Sequence, residues 1–282
     1  MKRLYLALII IAAALAACKQ PEDPTDKPAP PPGPVDPPQP ENVVGPLSVE
    51  ASFAEYSFIA GFPGWAEGDA ISCFGAGGTH AKLTVKSISG AKATLEGEGD
   101  SLGPYTAIYP YSAEDTLESG VITTTVPQDQ QISSGPIDRQ AFPAVAKADG
   151  KALSFKNICG LISFEIADEG ITGILVQSTS GTPLSGKICV NPATGEITKT
   201  EDSSDQIQLK PAGGSFAPGT YFAAILPGSP GELRITLSGG SAIRKAGRTT
   251  QTESITRNGC ISAGGLDADN VIERILNELR TP

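Results

Sequence analysis

The sequence predicts an all-β protein made of sandwich-type domains, and three observations predict it. The first is alternation. Leu83 and Val85 alternate with Lys82, Thr84 and Lys86, and Ala93 and Leu95 alternate with Lys92, Thr94 and Glu96. Ile162, Phe164 and Ile166 alternate with Ser163 and Glu165, and Leu233, Ile235 and Leu237 with Arg234, Thr236 and Ser238. An apolar residue at every second position gives a strand with one face to the core. The second is punctuation: Asp149-Gly150, Thr194-Gly195, Pro218-Gly219, Pro230-Gly231, Gly239-Gly240 and Asn258-Gly259 supply turn chemistry between the alternating runs. The third is composition. With 32 Gly, 24 Pro and a single Met, and no long helical run between strands, the chain favours short strands and turns over βαβ units or a helical bundle.

From the N-terminus, Lys2 and Arg3 precede a twelve-residue apolar run, Leu4 to Leu15. A membrane-spanning helix needs roughly 20 residues, so this layout is that of a secretory signal peptide. Its end, Leu15-Ala16-Ala17-Cys18, resembles the bacterial lipobox. That resemblance implies removal of residues 1–17 and acylation of Cys18, which becomes a lipid anchor in the membrane. Residues 18–46 then form a Pro-rich tether with few large apolar side chains. Proline fixes φ and removes backbone donors, which favours polyproline II, and at about 3.1 Å per residue the tether reaches roughly 80 Å. Within it, Lys19-Gln20-Pro21-Glu22-Asp23 resembles the signal that sends Bacteroidetes lipoproteins to the outer face of the outer membrane. A surface-exposed, lipid-anchored protein is therefore expected.

Beyond the tether, an N-terminal domain is expected over 47–148 and a C-terminal domain over 149–267. The stretch from Gln128 to Pro143 is polar and lacks sustained alternation, and Asp149-Gly150 opens a new alternating series. Each part holds about 100 to 120 residues, enough for one sandwich. Tyr221 to Leu226 is apolar at successive positions and reads as a central strand covered on both faces. Residues 268–282 are expected to form a short amphipathic helix. Asp267 or Asp269 can cap it, and Ile272, Ile275, Leu276 and Leu279 share one face.

Charge and residue inventory exclude several functions. The formal net charge is −10, and loss of Lys2 and Arg3 with the leader makes the mature chain more acidic. Such a surface repels phosphate backbones, so no nucleic-acid partner is expected. Cys73, Cys159, Cys189 and Cys260 form no CxxC pair and the only histidine is His80, which leaves neither a metal site nor a cofactor expected. Each cysteine sits among apolar residues and reads as a buried free thiol, with disulfide pairing as the alternative. Gly181 to Lys187 matches the start of a phosphate-binding loop, but Ile188 replaces the magnesium-binding hydroxyl and no helix follows. His80 follows the Gly75-Ala76-Gly77-Gly78 turn and reads as a solvated loop side chain, and no Gly-x-Ser-x-Gly elbow is present. No catalytic residues are assigned and no enzyme activity is expected. Trp65 reads as core, with a sugar-stacking platform as the alternative. Asp100-Ser101-Leu102 and Asp115-Thr116-Leu117 resemble the short O-glycosylation acceptor of gut Bacteroidetes.

The order of motifs carries a further resemblance. Trp65, Gly68-Asp69-Ala70-Ile71 and Phe74 precede Tyr105 to Pro110, then Val126-Pro127-Gln128-Asp129-Gln130. Leu153 to Asn157 runs into Leu161 to Phe164, followed by Pro183 to Gly186, Tyr221 to Gly228 and Arg257-Asn258. Behind a lipobox, this order resembles the fimbrillin (Mfa-like) family of Bacteroidetes across residues 47–267. The resemblance implies two transthyretin-like β-sandwich domains in tandem and a role in type V pili or cell adhesion. It also implies pilin subunits as partners through strand addition, and a host or bacterial surface ligand for a tip or adhesive member. Polymerising members lose an N-terminal strand to a protease that is often Arg-specific. Here no arginine occurs between Cys18 and Arg139, and the chain ends in a helical pattern. Both departures favour an anchor, accessory or tip subunit over a polymerising stalk. The alternative is a surface glycan-binding lipoprotein of a nutrient-uptake system.

Overall fold

The computed structural model describes residues 40–54, 64–133, 135–239, 242–248 and 254–265. In chain order the first ten strands are β1 (Val44–Phe53), β2 (Ala70–Phe74), β3 (His80–Ser89), β4 (Lys92–Asp100), β5 (Tyr105–Tyr109), β6 (Thr116–Glu118), β7 (Val121–Val126), β8 (Asp129–Ile132), β9 (Ala144–Ala148) and β10 (Ala152–Asn157). They are followed by β11 (Gly160–Ile166), β12 (Gly173–Ser178), β13 (Ser185–Val190), β14 (Ile197–Ser204), β15 (Gln206–Pro211), β16 (Gly219–Ile225), β17 (Leu233–Gly239), β18 (Ala242–Arg248) and β19 (Cys260–Gly265). The all-β expectation holds, and the alternating runs fall on β3, β4, β11 and β17. Cys18 and the expected C-terminal helix over 268–282 lie outside the described residues.

Seven strands close into a barrel in the order β1-β10-β9-β5-β2-β3-β4. β1 lies antiparallel to β4 from Val44 opposite Asp100 to Ser52 opposite Lys92. It also lies parallel to β10 from Glu50 opposite Ala152 to Phe53 opposite Phe155, and that pairing closes the ring. A closed sheet leaves no unpaired edge. Here the structure differs from the sandwich expected for the first part. A period of two reports which face of a strand is buried and carries no information on whether the outermost strands meet. Residues 152–157 belong to this barrel, so it extends past the expected boundary between 148 and 149. β1 likewise begins inside the expected tether. Its Pro46 lies before the parallel partner starts, where the strand is paired on one side only and the missing N–H costs nothing.

Inward-facing residues fill the barrel, among them Leu47, Val49, Ile71, Leu83, Leu95, Tyr105, Tyr109 and Phe155. Trp65 stacks on Phe53 with centroids 4.3 Å apart and meets Tyr109 and Phe155 edge-on at 5.4 and 5.6 Å. Offset stacks and edge-on contacts of this kind add to the area term.

The second part is a sandwich. Sheet β16-β11-β19 faces sheet β18-β17-β12-β15-β8 across a core of Ile162, Phe164, Ile174, Val176, Ile207, Leu209, Ile225, Leu233 and Ile235. A third sheet, β14-β13-β7-β6, covers another core that draws on both parts: Ile108, Val145, Leu161, Ile188 and Ala224. β5, β9 and β16 thus serve one core with each face, which explains their nearly unbroken apolar sequences, whereas β11 gives only Leu161 to the third core and otherwise alternates.

β16 is covered on both faces as expected, but it is an outer strand of its sheet and not a central one. A buried edge leaves backbone groups that need partners. Gln130 supplies them: its Nε2 donates to the Ala224 carbonyl at 2.7 Å, and the Ala224 N–H donates to its Oε1 at 3.0 Å. Beside it, the Phe222 N–H donates to the Pro136 carbonyl at 2.8 Å. The polar stretch from Gln128 to Pro143 therefore contains β8, a short 3-10 turn over Arg139–Ala141, and the side chain that finishes a sheet edge.

Candidate functional site

β14 is an outer strand with five of its eight residues exposed and Ile197, Glu201 and Ser204 half-buried, and a groove of about 680 Å³ runs beside it. Gly195 to Thr200 form one wall. Thr182, Pro183, Pro227 and Arg257 form the other, and Ile158 and Leu226 form an apolar floor. Half the backbone N–H and C=O groups of an outer strand point away from its neighbour. Among the described residues nothing pairs with the outer side of β14, so its outward main-chain donors and acceptors lie beside a groove with apolar side chains, the two elements an added extended peptide needs.

The groove is built at the crossover where the chain leaves the barrel. Asn157, the last residue of β10, is fully buried; its Nδ2 donates to Asn258 Oδ1 at 2.7 Å. Arg257 Nη1 donates to the Asn157 carbonyl at 3.0 Å, and Asn258 N–H donates to the Cys159 carbonyl at 2.9 Å. Gly195 closes this corner with φ +77°, and a Cβ there would stand 3.1 Å from the Asn157 carbonyl. A side chain at 195 meets both objections at once.

At the other end of the barrel the incoming chain is held by polar groups. Asn42 Nδ2 donates to Asp100 Oδ1 at 3.1 Å, and the Leu102 N–H donates to Asn42 Oδ1 at 3.2 Å. The Val43 N–H donates to Ser101 Oγ at 3.0 Å, while the Ser101 N–H donates to the Val43 carbonyl at 2.8 Å. Burial pushes the Asp100 carboxyl up. Hydrogen bonds from Asn42, from the Thr79 side chain and backbone and from the Gly77 backbone outweigh it, and the pKa lies below the usual carboxylate range. A Cβ on Gly77 would come within 2.4 Å of Asn42 Nδ2, so only glycine allows this approach.

The residues singled out from sequence fall as follows. Trp65 is 4 % exposed and belongs to the barrel core, so its indole cannot serve as a sugar platform. His80 opens β3 and is not a solvated loop residue: it stacks on Phe74 with centroids 4.8 Å apart, and its Nε2 is buried. Gly181 to Lys187 runs from a loop into β13 with no helix, and Thr182 and Pro183 reach the groove. All four described cysteines are free thiols, but only Cys73 and Cys159 are buried, whereas Cys189 is half-buried and Cys260 exposed. Burial, with a contribution from Asp100, pushes the Cys73 thiol up to about 12.

The carboxylates of both acceptor-like triplets point into the protein. Asp100 holds the entry site, and Asp115 accepts from Ser72 Oγ at 2.6 Å. Burial raises the Asp115 carboxyl above its ordinary value against hydrogen bonds from Ser72, Thr124 and Ser112. Arg139 pairs with Asp69, whose other oxygen accepts from Tyr109 Oη at 3.2 Å, and donates to the Gly64 carbonyl at 2.6 Å. Sequence reading passed over the Gln130 edge plug, because one glutamine in a polar stretch carries no local signal.

These features define an all-β chain with a closed barrel, a sandwich and a groove along a strand edge that has no partner among the described residues. No family model and no curated protein matches the chain. Solved structures that align with it include the following two. One is a candidate cell adhesion protein from Bacteroides ovatus ATCC 8483, with 14 % identity, a TM-score of 0.48 and coverage of 76 % of this chain and 89 % of that one. The other is the C-terminally truncated tip fimbrial protein Mfa3 from Porphyromonas gingivalis, with 10 % identity, a TM-score of 0.30 and coverage of 73 % and 81 %.

Proposed function

We propose that the chain is a surface-anchored, fimbrillin-like lipoprotein of the outer membrane that acts in cell adhesion or pilus assembly, as an anchor, accessory or tip subunit. The observation that carries this reading is the lipobox Leu15-Ala16-Ala17-Cys18, followed by a Pro-rich segment that delivers the chain to the polar entry site ahead of β1. The groove along the free edge of β14 supports a pilin partner bound by strand addition. A polymerising stalk is disfavoured, because the first arginine after Cys18 is Arg139, largely buried in its ion pair with Asp69. The glycan-binding alternative loses its one indole platform to the barrel core.

The test is a mass and gel analysis of the protein from outer-membrane and sheared-pilus fractions. An acylated Cys18 N-terminus and a monomeric band are expected. SDS-resistant ladders with an unlipidated N-terminus beyond residue 47 would make it a stalk subunit and overturn the reading. A crosslinker on Lys199→Cys, an exposed position on the groove wall, is expected to trap a pilin subunit.

A further inference from the structure

The first and last strands of the barrel are neighbours and run in the same direction. The chain enters at the Val44 end of β1 and leaves at the Asn157 end of β10, and in a parallel pair these are opposite ends. A pull on the N-terminal segment, with the rest of the protein held, therefore draws β1 and β10 past one another along their length. β1 is also hydrogen-bonded to β4 along nearly its whole length, from Val44 to Ser52, so both flanks of the strand resist the same displacement. The bonds across a strand pulled lengthwise carry the load together. Those of a strand peeled from one end break one at a time.

Two further observations lie at the ends of this path. At the entry, Asn42 and Val43 are tied to Asp100, Ser101 and Leu102 before the first β1 residue. At the exit, Asn157 is tied to Asn258 and Arg257, and the Ile158 N–H donates to the Pro143 carbonyl at 3.1 Å. Along the parallel pair itself, the Glu50 N–H donates to the Lys151 carbonyl at 2.8 Å and the Ala54 N–H to the Phe155 carbonyl at 2.9 Å. Parallel ladders space such bonds evenly, so no single bond takes the load first.

We propose that the barrel is a load-bearing module in which β1, held between β4 and β10, resists force on the N-terminal segment by shear. The inference rests on the anchored reading only for the origin of the load; the directional resistance is a property of the strand order. It gives the barrel a function distinct from the groove: it keeps an adhesive sandwich attached under flow.

Single-molecule pulling tests it on the full mature chain with Cys18→Ser, Cys189→Ser and Cys260→Ser, so that handles attach only where placed. Handles at Glu41→Cys and Ala91→Cys lie at opposite ends of the β1–β4 ladder and load it in shear. Handles at Glu41→Cys and Ala76→Cys lie at the same end, because the Ala76 N–H donates to the Leu102 carbonyl beside Asn42, and they peel β1 away. The rupture force is expected to be several-fold higher for the first pair, since forced unfolding reports the barrier along the pulled direction. Handles at Glu41→Cys and Ser254→Cys reproduce the natural axis, and release of the barrel's contour length is expected at the shear value. Equal forces for the first two pairs overturn the proposal, as does barrel release along the natural axis at the peeling force. Failure of the anchor shows instead in the mass of the mature N-terminus, and leaves these forces unchanged.

Discussion

The barrel and the outer sheets solve the same hydrogen-bonding problem in different ways. In the barrel every strand has two neighbours, so the backbone satisfies itself. In the outer sheets β6, β8, β14, β16, β18 and β19 each have one among the described residues, and the protein treats these edges unequally. The edge of β16 is buried and is finished by the amide of Gln130. The edge of β14 borders a groove. An edge is thus plugged where water is excluded and left available where a partner can reach it.

The sharpest way to break this comparison is to open the barrel core. Phe155→Ala removes a fully buried ring packed against Trp65 and Phe53 and is expected to cost about 3–5 kcal/mol in denaturant unfolding. Trp65 is the only tryptophan, so its fluorescence reports the barrel while far-UV circular dichroism reports all strands. Because the third core joins residues from both parts, the two signals are expected to follow a single transition. Two separated transitions would show that barrel and sandwich are independent domains.

Next in size is Gln130→Leu, which leaves the Ala224 N–H and carbonyl without their partner at about 1–3 kcal/mol for each group. Thermal unfolding measures it; a change no larger than that of an exposed-residue control would mean that β16 needs no plug. A smaller effect belongs to Asp100. Its pKa is depressed in the folded state, so its contribution is fully present above the unfolded value of about 3.9 and is lost as pH falls through the folded value. Asp100→Asn should therefore be less stable than the parent near neutrality, with the gap narrowing below about pH 4.

Thiol titration sharpens the contrast without perturbing the fold. Cys260 and then Cys189 are expected to react in the native protein, and Cys73 and Cys159 only after unfolding, since burial raises both of their pKa values and blocks access. The smallest expected effect is Lys92→Ala, which breaks the exposed 2.7 Å pair with Glu50 and should change stability by about 0–1 kcal/mol.

Much of the strand content was readable residue by residue, because alternation is a local property. The motifs noted in order along the chain prove to be contacts. Asp69 meets Tyr109, Gln130 meets Ala224, and Asn157 meets Asn258, across separations of 40, 94 and 101 residues. Nothing in the spacing announced those pairings. The groove was unreadable for the same reason: its walls come from four separate stretches, and residues such as Thr198 and Pro227 have no signature of their own.

By itself the sequence determined that the chain is all-β, where most strands and turns fall, and that a segment resembling a lipobox and a Pro-rich stretch precede the first strand. These are short-range consequences of side-chain period, proline geometry and charge. Only the tertiary structure decided that β1 to β5 close into a barrel with β9 and β10, that a shared core joins the two parts, and which sheet edges are plugged or left open. Each of those depends on which strands meet, and strand pairing is fixed by the simultaneous satisfaction of distant backbone groups and apolar faces.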